Sequence, residues 1–476
     1  GFNTHLAFAI GAAALGSSFQ HGYNTGVINT PAKIMKYWMG NLTIAGTNQT
    51  GTFDDLKDVK EHVDTIWGIV VAIFCVGGMI GGSLVGWAAD RFGRKTSLLL
   101  NNVFVVAATI LEFIAKPCGS YTLLIIGRFI IGINAGLNAG LAPMYLAEVS
   151  PMHLRGAVGT VYQLVITISI LLAGIIGLDS IMGTETLWPW LLALTIVPAI
   201  LQVVTLPLCP ESPKYLLLSR GRDMDAQRAL TWLRGTVEVH DEMDDMRNEY
   251  ESIKLIPRAT VTELVRNPSL RIPLFIAVMI MLAQQLSGIN AIMFYSTEIF
   301  GMAKLSDAQA QIATIIVGIV NVLMTFVSMI LVEKAGRKTL LLIGFFGMFL
   351  DTLALAIVLL FTEYTAASMM AVALVIIYIV LFASGPGSIP WFLVSELFNQ
   401  SARPAATSVS IAINWGANFL VGITFPLLAG LIKTNVFFVF AGIQLFFTWF
   451  IWFKVPETRN KSIEEISSMF RQQSYQ

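Results

Sequence analysis

The side chains in this sequence that offer specific polar chemistry are carboxamides set inside apolar runs: Gln163, Gln284, Gln285, Asn290, Asn321, Asn414 and Asn418. A carboxamide supplies a donor and an acceptor without carrying charge. That suits a neutral polyol such as a sugar, whose hydroxyls need both. Trp391 and Trp415 add flat apolar faces for the C–H side of a pyranose ring. A lone Asn or Gln in an apolar helix often does no more than hydrogen-bond a neighbouring helix. Gln284, Gln285 and Asn290 go beyond that expectation. Adjacent glutamines cannot share one helix face, and Gly288 before Asn290 can loosen the helix. Broken helices are where transport sites form. Gly385, Pro386, Gly387 and Pro390 break a second apolar run and form a candidate hinge. Phe294 and Tyr295, just past Asn290, are candidate lid residues. Charge inside the runs is scarce, and Glu112 and Asp351 are expected to be structural.

A second set of chemically capable residues sits at the ends of the runs. Asp90-Arg-Phe-Gly-Arg-Lys-Thr96 recurs as Glu333-Lys-Ala-Gly-Arg-Lys-Thr339. Glu148 with Arg155 recurs as Glu396 with Arg403, and Pro210-Glu211-Ser212 as Pro456-Glu457-Thr458. Three motifs in one order and nearly constant register indicate duplication. Arginine forms bidentate pairs with carboxylates. Arg94, Glu148, Arg155, Arg337, Glu396 and Arg403 are therefore expected to tie the two halves together at one end, as a gate. Arg128, at the start of the fourth run, is assigned to the same cluster. Arg91 and Lys95 are read as topology signals only.

The elements that position these residues follow from composition. Of 476 residues, 55% are hydrophobic and only 13% charged, where a soluble domain carries about 25% charged. Mean hydropathy is +0.71. Thirty basic residues balance thirty acidic ones, so no basic field exists for nucleic acid. Cys75, Cys118 and Cys209 are too few for a disulfide scaffold. Five histidines show no catalytic or metal-ligand spacing, so an enzyme, a metal site and a cofactor are not expected. No cleavable signal peptide is visible, and because the chain opens on Gly1 the native start is expected to lie upstream.

Crossing a bilayer takes about 20 apolar residues. Twelve such runs lie near 5–29, 65–89, 96–115, 121–147, 157–178, 187–207, 271–300, 308–332, 339–361, 368–395, 404–428 and 433–454. None alternates as a barrel strand would. The expected fold is an all-α membrane protein of 12 transmembrane helices in two six-helix halves with a cytoplasmic helical linker. The boundaries are 1–207 for the first half, 208–270 for the linker, 271–454 for the second half and 455–476 for a tail. Basic residues concentrate in the even-to-odd loops (Arg91, Arg94, Lys95, Arg155, Lys334, Arg337, Lys338, Arg403), against Lys116, Lys304 and Lys433 opposite. By the positive-inside rule both termini are cytoplasmic. Residues 30–64 then lie outside, with glycosylation sequons at Asn41 and Asn48. Helix patterning is expected at 223–233 and 238–254.

Asp90–Thr96 and Glu333–Thr339 resemble the repeated motif of the major facilitator superfamily. Pro210-Glu-Ser-Pro213, Gln284-Gln-Leu-Ser-Gly-Ile-Asn290, Gly385-Pro-Gly-Ser-Ile-Pro-Trp391 and Pro456-Glu-Thr-Arg459 resemble its sugar porter signatures. Tyr23-Asn-Thr-Gly-Val-Ile-Asn29, Asn414-Trp-Gly-Ala-Asn418 and the sequons are similar to animal facilitative glucose transporters. The resemblance runs from about residue 11 to 465. It implies a plasma-membrane hexose uniporter working by alternating access, functional as a monomer among membrane lipid. It further implies sugar contacts at Gln163, Gln284, Gln285, Asn290, Asn321, Trp391 and Asn414, with Trp415 and Asn418 as second choices. Met281-Leu-Ala283, Ala383 after Phe382, Tyr162 and His21 depart from the glucose-selective pattern, so fructose stands as a second substrate behind D-glucose. The rivals are a proton-coupled sugar symporter and a membrane sugar sensor without flux. Sugar–proton symporters resembling this family carry Asp where this chain has Asn24, and Asn cannot titrate.

Overall fold

A computed structural model describes residues 2–293, 300, 306–361 and 363–476. The described residues are helical with no strand. Ten stretches are long and apolar enough to cross a membrane. The count reaches twelve spans for two reasons. Residues 4–26 form a first span that a π-helical turn at Ala14–Ser18 divides, and its second piece, Phe19–Gly26, is rich in polar residues. The 403–454 stretch is two helices, Arg403–Ile432 and Val436–Lys454. The remaining spans, second to tenth, are Lys57–Phe92, Arg94–Ile114, Tyr121–Val149, Met152–Ile176, Trp188–Leu208, Pro268–Met293, Ile312–Ala335, Arg337–Phe361 and Thr365–Leu397. The second starts earlier than its apolar run, because a polar, well-formed helix extends it to Lys57.

Small residues let these helices approach closely. The second span presents one glycine face to each neighbour. Gly77 and Gly81 lie against Gly132 and Ile133 of the fourth span. Gly82 and Gly86 lie against Ile411, Pro404 and Ser408 of the eleventh span, in the other half. The Gly86 N–H donates to Ser408 Oγ at 2.5 Å.

The duplicated charged motif makes the same turn twice. Gly93 and Gly336 stand at φ +85° and +88°, the region a side chain resists. Each turn ends at a helix N-terminus, where free N–H groups attract an anion. Glu211 accepts from the backbone N–H groups of Arg94 (3.1 Å) and Lys95 (3.0 Å). Glu457 accepts from those of Arg337 (3.0 Å) and Lys338 (3.1 Å). Burial pushes the Glu211 carboxyl above its usual range, and the Lys95 and Ser212 backbone amides oppose that shift only in part.

Between the halves the chain forms helices Asp223–Arg234, His240–Ile253 and Val261–Arg266. They pack against both halves. Arg234 donates to the Val149 carbonyl at 2.9 Å, His5 stacks on Trp232, and Ala259 N–H donates to the Ser401 carbonyl at 3.1 Å. After the last span a helix over Ile463–Ser474 buries Ile463, Ile466 and Phe470. Those residues carried a helical period that the expectation of a plain tail passed over.

Candidate functional site

Two broken helices build the polar centre. The seventh span stops at Leu286 and turns through Ser287 and Gly288, whose φ is +92°. A Cβ at Gly288 would meet the Phe440 ring at 2.9 Å. The tenth span stops at Ser384 and resumes at Ile389. The break frees carbonyls, and Gln284 takes them: its Nε2 donates to the Pro386 (3.2 Å) and Gly387 (3.0 Å) carbonyls. Tyr378 Oη and Gln444 Nε2 donate to the Ser287 carbonyl at the other break.

The amides then link into one network. Asn414 Nδ2 donates to Gln284 Oε1 at 2.9 Å, and Gln285 Nε2 to Asn414 Oδ1 at 3.4 Å. Asn290 Nδ2 donates to Asn418 Oδ1 at 2.8 Å and to Gln285 Oε1 at 3.4 Å. Gln163, from the first half, accepts from Trp391 Nε1 at 2.9 Å, so the set spans both halves. Around it stand four rings. His21 lies 5.7 Å from Tyr162, 5.8 Å from Trp391 and 5.3 Å from Trp415, and His21 Nδ1 hydrogen-bonds Tyr162 Oη at 2.5 Å. Asn321 joins none of these bonds. Its Oδ1, like Trp415 Nε1, is buried without a hydrogen-bond partner, the condition a ligand hydroxyl would relieve.

Gln284 and Asn414 are almost wholly buried and their hydrogen bonds run mainly to protein. Gln285 and Asn290 are more accessible. The ring pair His21 and Tyr162 was visible in the sequence only as a departure from pattern, since it joins two separate spans. Phe294 and Tyr295 lie outside the described residues.

The charged set closes one end of the molecule. Arg94 grips Glu148 with two bonds, at 2.7 and 3.0 Å, and Arg337 grips Glu396 at 3.1 and 3.0 Å. Both pairs lie within one half. Each carboxylate also receives an arginine from the other half: Arg403 Nη1 reaches Glu148 at 2.8 Å, and Arg155 Nε reaches Glu396 at 2.5 Å. All six side chains are buried. Desolvation cancels much of what a buried ion pair gains, so such a cluster is better suited to setting register between states than to raising stability. Thr458 Oγ1, part of the repeated Pro-Glu motif but not expected in this cluster, adds a bond to Glu396 at 3.1 Å.

Arg128 does not belong to this cluster. Twenty residues of the fourth span separate it from Glu148, roughly 30 Å at 1.5 Å per residue. It lies toward the opposite end, donating to the Asn24 carbonyl at 2.8 Å with its guanidinium 4.4 Å over the Phe74 ring. The fourth span starts at that end, which is why a cation at its start cannot reach the gate.

Residues 9–470 match the family model described as "Sugar (and other) transporter". The solute carrier family 2, facilitated glucose transporter member 3 of Mus musculus is 46% identical over 473 residues, covering 99% of this chain and 94% of the relative. The proton:xylose symporter XylE bound to 6-bromo-6-deoxy-D-glucose superposes with a TM-score of 0.83 at 27% identity, covering 98% of this chain and 99% of that one. The inward open conformation of XylE from E. coli gives a TM-score of 0.68 at 25% identity, covering 98% and 99%. The chain thus superposes better on the sugar-analogue-bound structure than on the inward open one.

Proposed function

The chain belongs to the sugar (and other) transporter family, and from that premise we propose that it is a facilitative hexose uniporter, carrying D-glucose and also fructose by alternating access. The observation that carries the reading is one arrangement: a neutral amide and aromatic set shared by both halves, with a crossed set of arginine–carboxylate pairs at one end. The protein is a multi-pass membrane transporter. Gln163, Gln284, Gln285, Asn290, Asn321, Trp391 and Asn414 contact the sugar, with Trp415 beside the ring and Asn418 fixing Asn290. Gln284 acts largely by holding the broken tenth span in place.

The charged end is cytoplasmic, and with it both termini, in the plasma membrane. Arg94, Glu148, Arg155, Arg337, Glu396 and Arg403 form the inner gate, whose cross-half bonds break when the path opens inward. Asn41 and Asn48 are both exposed, which suits outward-facing glycosylation. The transporter works as a monomer in lipid, with no nucleic-acid partner.

Asn24 weighs against proton symport, because its side chain donates to Thr195 Oγ1 and the Gln20 carbonyl and has no proton to give up near neutral pH. Counterflow of labelled glucose and fructose in proteoliposomes at matched pH tests the reading. Trans-stimulated uptake of both sugars is expected. Binding without flux would favour a sensor, and no response to either hexose would sink the proposal.

A further inference from the structure

The third span carries a single charged side chain beyond its Arg94–Lys95 end, and that residue, Glu112, is 1% exposed. A carboxyl inside a membrane helix is costly, and where one persists it usually serves a function. Its place is well defined. A Cβ on Gly127 would stand 2.6 Å from Glu112 Cγ, so the acid lies against the fourth-span backbone one residue from Arg128. Glu112 and Arg128 feel each other's charge, yet Glu112 Oε1 and Arg128 Nε are not bonded to each other. Three polar atoms here are buried without hydrogen-bond partners: Glu112 Oε1, Arg128 Nε and Asn24 Oδ1. Arg128 instead spends its hydrogen bond on the Asn24 carbonyl and its face on Phe74.

The other groups facing Glu112 limit what can neutralise it. Arg128 on the fourth span and Tyr23 on the first span are the titratable neighbours, and Cys75 on the second span lies beyond Arg128. The sixth span, which also packs against the third, has no titratable side chain in Trp188–Leu208. A metal cation would need several further ligands beside Arg128, whereas a proton needs no coordination shell and removes the cost of burying the carboxylate.

The position has a physical route to the polar centre. Phe74 lies between the Arg128 guanidinium and Trp415, whose ring centroid is 5.4 Å away. Asn24 is one helical turn beyond His21 on the first span. Anything that moves Arg128 therefore moves two walls of the aromatic set.

We propose that Glu112 is a proton-binding site that regulates the sugar site through Arg128, Phe74 and Trp415, with the proton returned to the side it came from. This inference rests on the hexose reading above. With Glu112 ionised, the carboxylate draws Arg128 away from Phe74 and Asn24. On protonation an O–H bond forms at the carboxyl, Arg128 is released to the contacts observed here, and Trp415 is braced. Acid thus tightens sugar binding, and by linkage sugar binding takes up protons.

The test uses the purified full chain. Glucose affinity is measured from pH 5.5 to 8.5, together with proton uptake on glucose binding in weak buffer. Wild-type affinity is expected to rise at least threefold toward acid, with fractional proton uptake. Glu112→Gln is expected to be flat at the acid-side affinity with no uptake, while Glu112→Asp, which keeps a titrating group, retains a slope. A flat wild-type profile overturns the inference, as does a slope that survives Glu112→Gln. Uphill glucose accumulation driven by a proton gradient also overturns it, because the proton would then cross. Absence of glucose binding at every pH would overturn the hexose reading and this inference with it; a pH-independent affinity overturns this inference alone.

Discussion

Arg155 meets Glu396 across the divide between the two halves at 2.5 Å, and its other acceptors, the Thr458 and Lys461 carbonyls, lie across the divide as well. Its counterpart Arg403 behaves differently. Besides Glu148 it donates to the Ser395 and Phe398 carbonyls and to Gln400 Oε1, all in its own half. The duplicated motif has therefore produced two unequal latches.

Arg155→Ala is expected to favour the state with the charged ends apart by more than Arg403→Ala does. Losing charge-assisted hydrogen bonds costs about 1.5–3 kcal/mol each, and Arg155 loses bonds to three groups across the divide. Distances between spin labels on the two halves, measured in both variants, check this. Equal shifts would show the two latches to be equivalent, and no shift in either would reduce these residues to topology signals.

Gln284→Ala and Asn414→Ala should each weaken glucose binding by roughly 0.5–1.5 kcal/mol, and Gln284→Ala by more, because the Pro386 and Gly387 carbonyls lose their donor. Calorimetry on variants with unchanged circular dichroism measures this. Wild-type affinity in both would remove the amide network from the sugar site.

Transport is expected to be passive. His21 is buried and bonded to Tyr162, and Asn24 is an amide that cannot titrate. Proteoliposomes with sugar on both sides should show no accumulation under an inward proton gradient. Accumulation abolished by a protonophore and by His21→Ala would make the protein a symporter.

Gly93→Ala should destabilise the protein by about 1–3 kcal/mol, through the positive φ it imposes on a side chain and a Cβ only 2.5 Å from Glu211 Oε2. Gly11→Ala is the control, with nothing within 4 Å of its Cβ. A thermal melt should drop for Gly93→Ala only. Equal melting of both would show that the turn tolerates a side chain.

Much of this architecture was legible because membrane helices announce themselves by apolar length, and because Arg and Glu in repeated register have few other uses. The breaks at Gly288 and Gly385–Gly387 were legible for the same reason: glycine and proline have backbone consequences that do not depend on context. What stayed hidden depended on which helices are neighbours. The Pro-Glu repeat was visible, but not that Glu211 and Glu457 accept backbone N–H groups at helix starts. His21 and Tyr162 share no local pattern. Glu112 read as structural because nothing in sequence spacing sets it beside Arg128. The misassignment of Arg128 itself came from residue type overriding topology, since the start of the fourth span faces away from the gate.

The crossed pairing at the charged end has a kinetic consequence. If the cluster is the proposed inner gate, Glu148 keeps Arg94 and Glu396 keeps Arg337 when the halves part, so neither acid enters the widening crevice as a bare anion needing a full hydration shell. Each half would carry its own resident counterion through the cycle, and only the two visiting arginines, Arg155 and Arg403, would change partners. The barrier is then that of exchanging the cross-half hydrogen bonds of two guanidinium groups for water. A cluster buried as deeply as any hydrophobic core can in this way still open at the pace of a carrier.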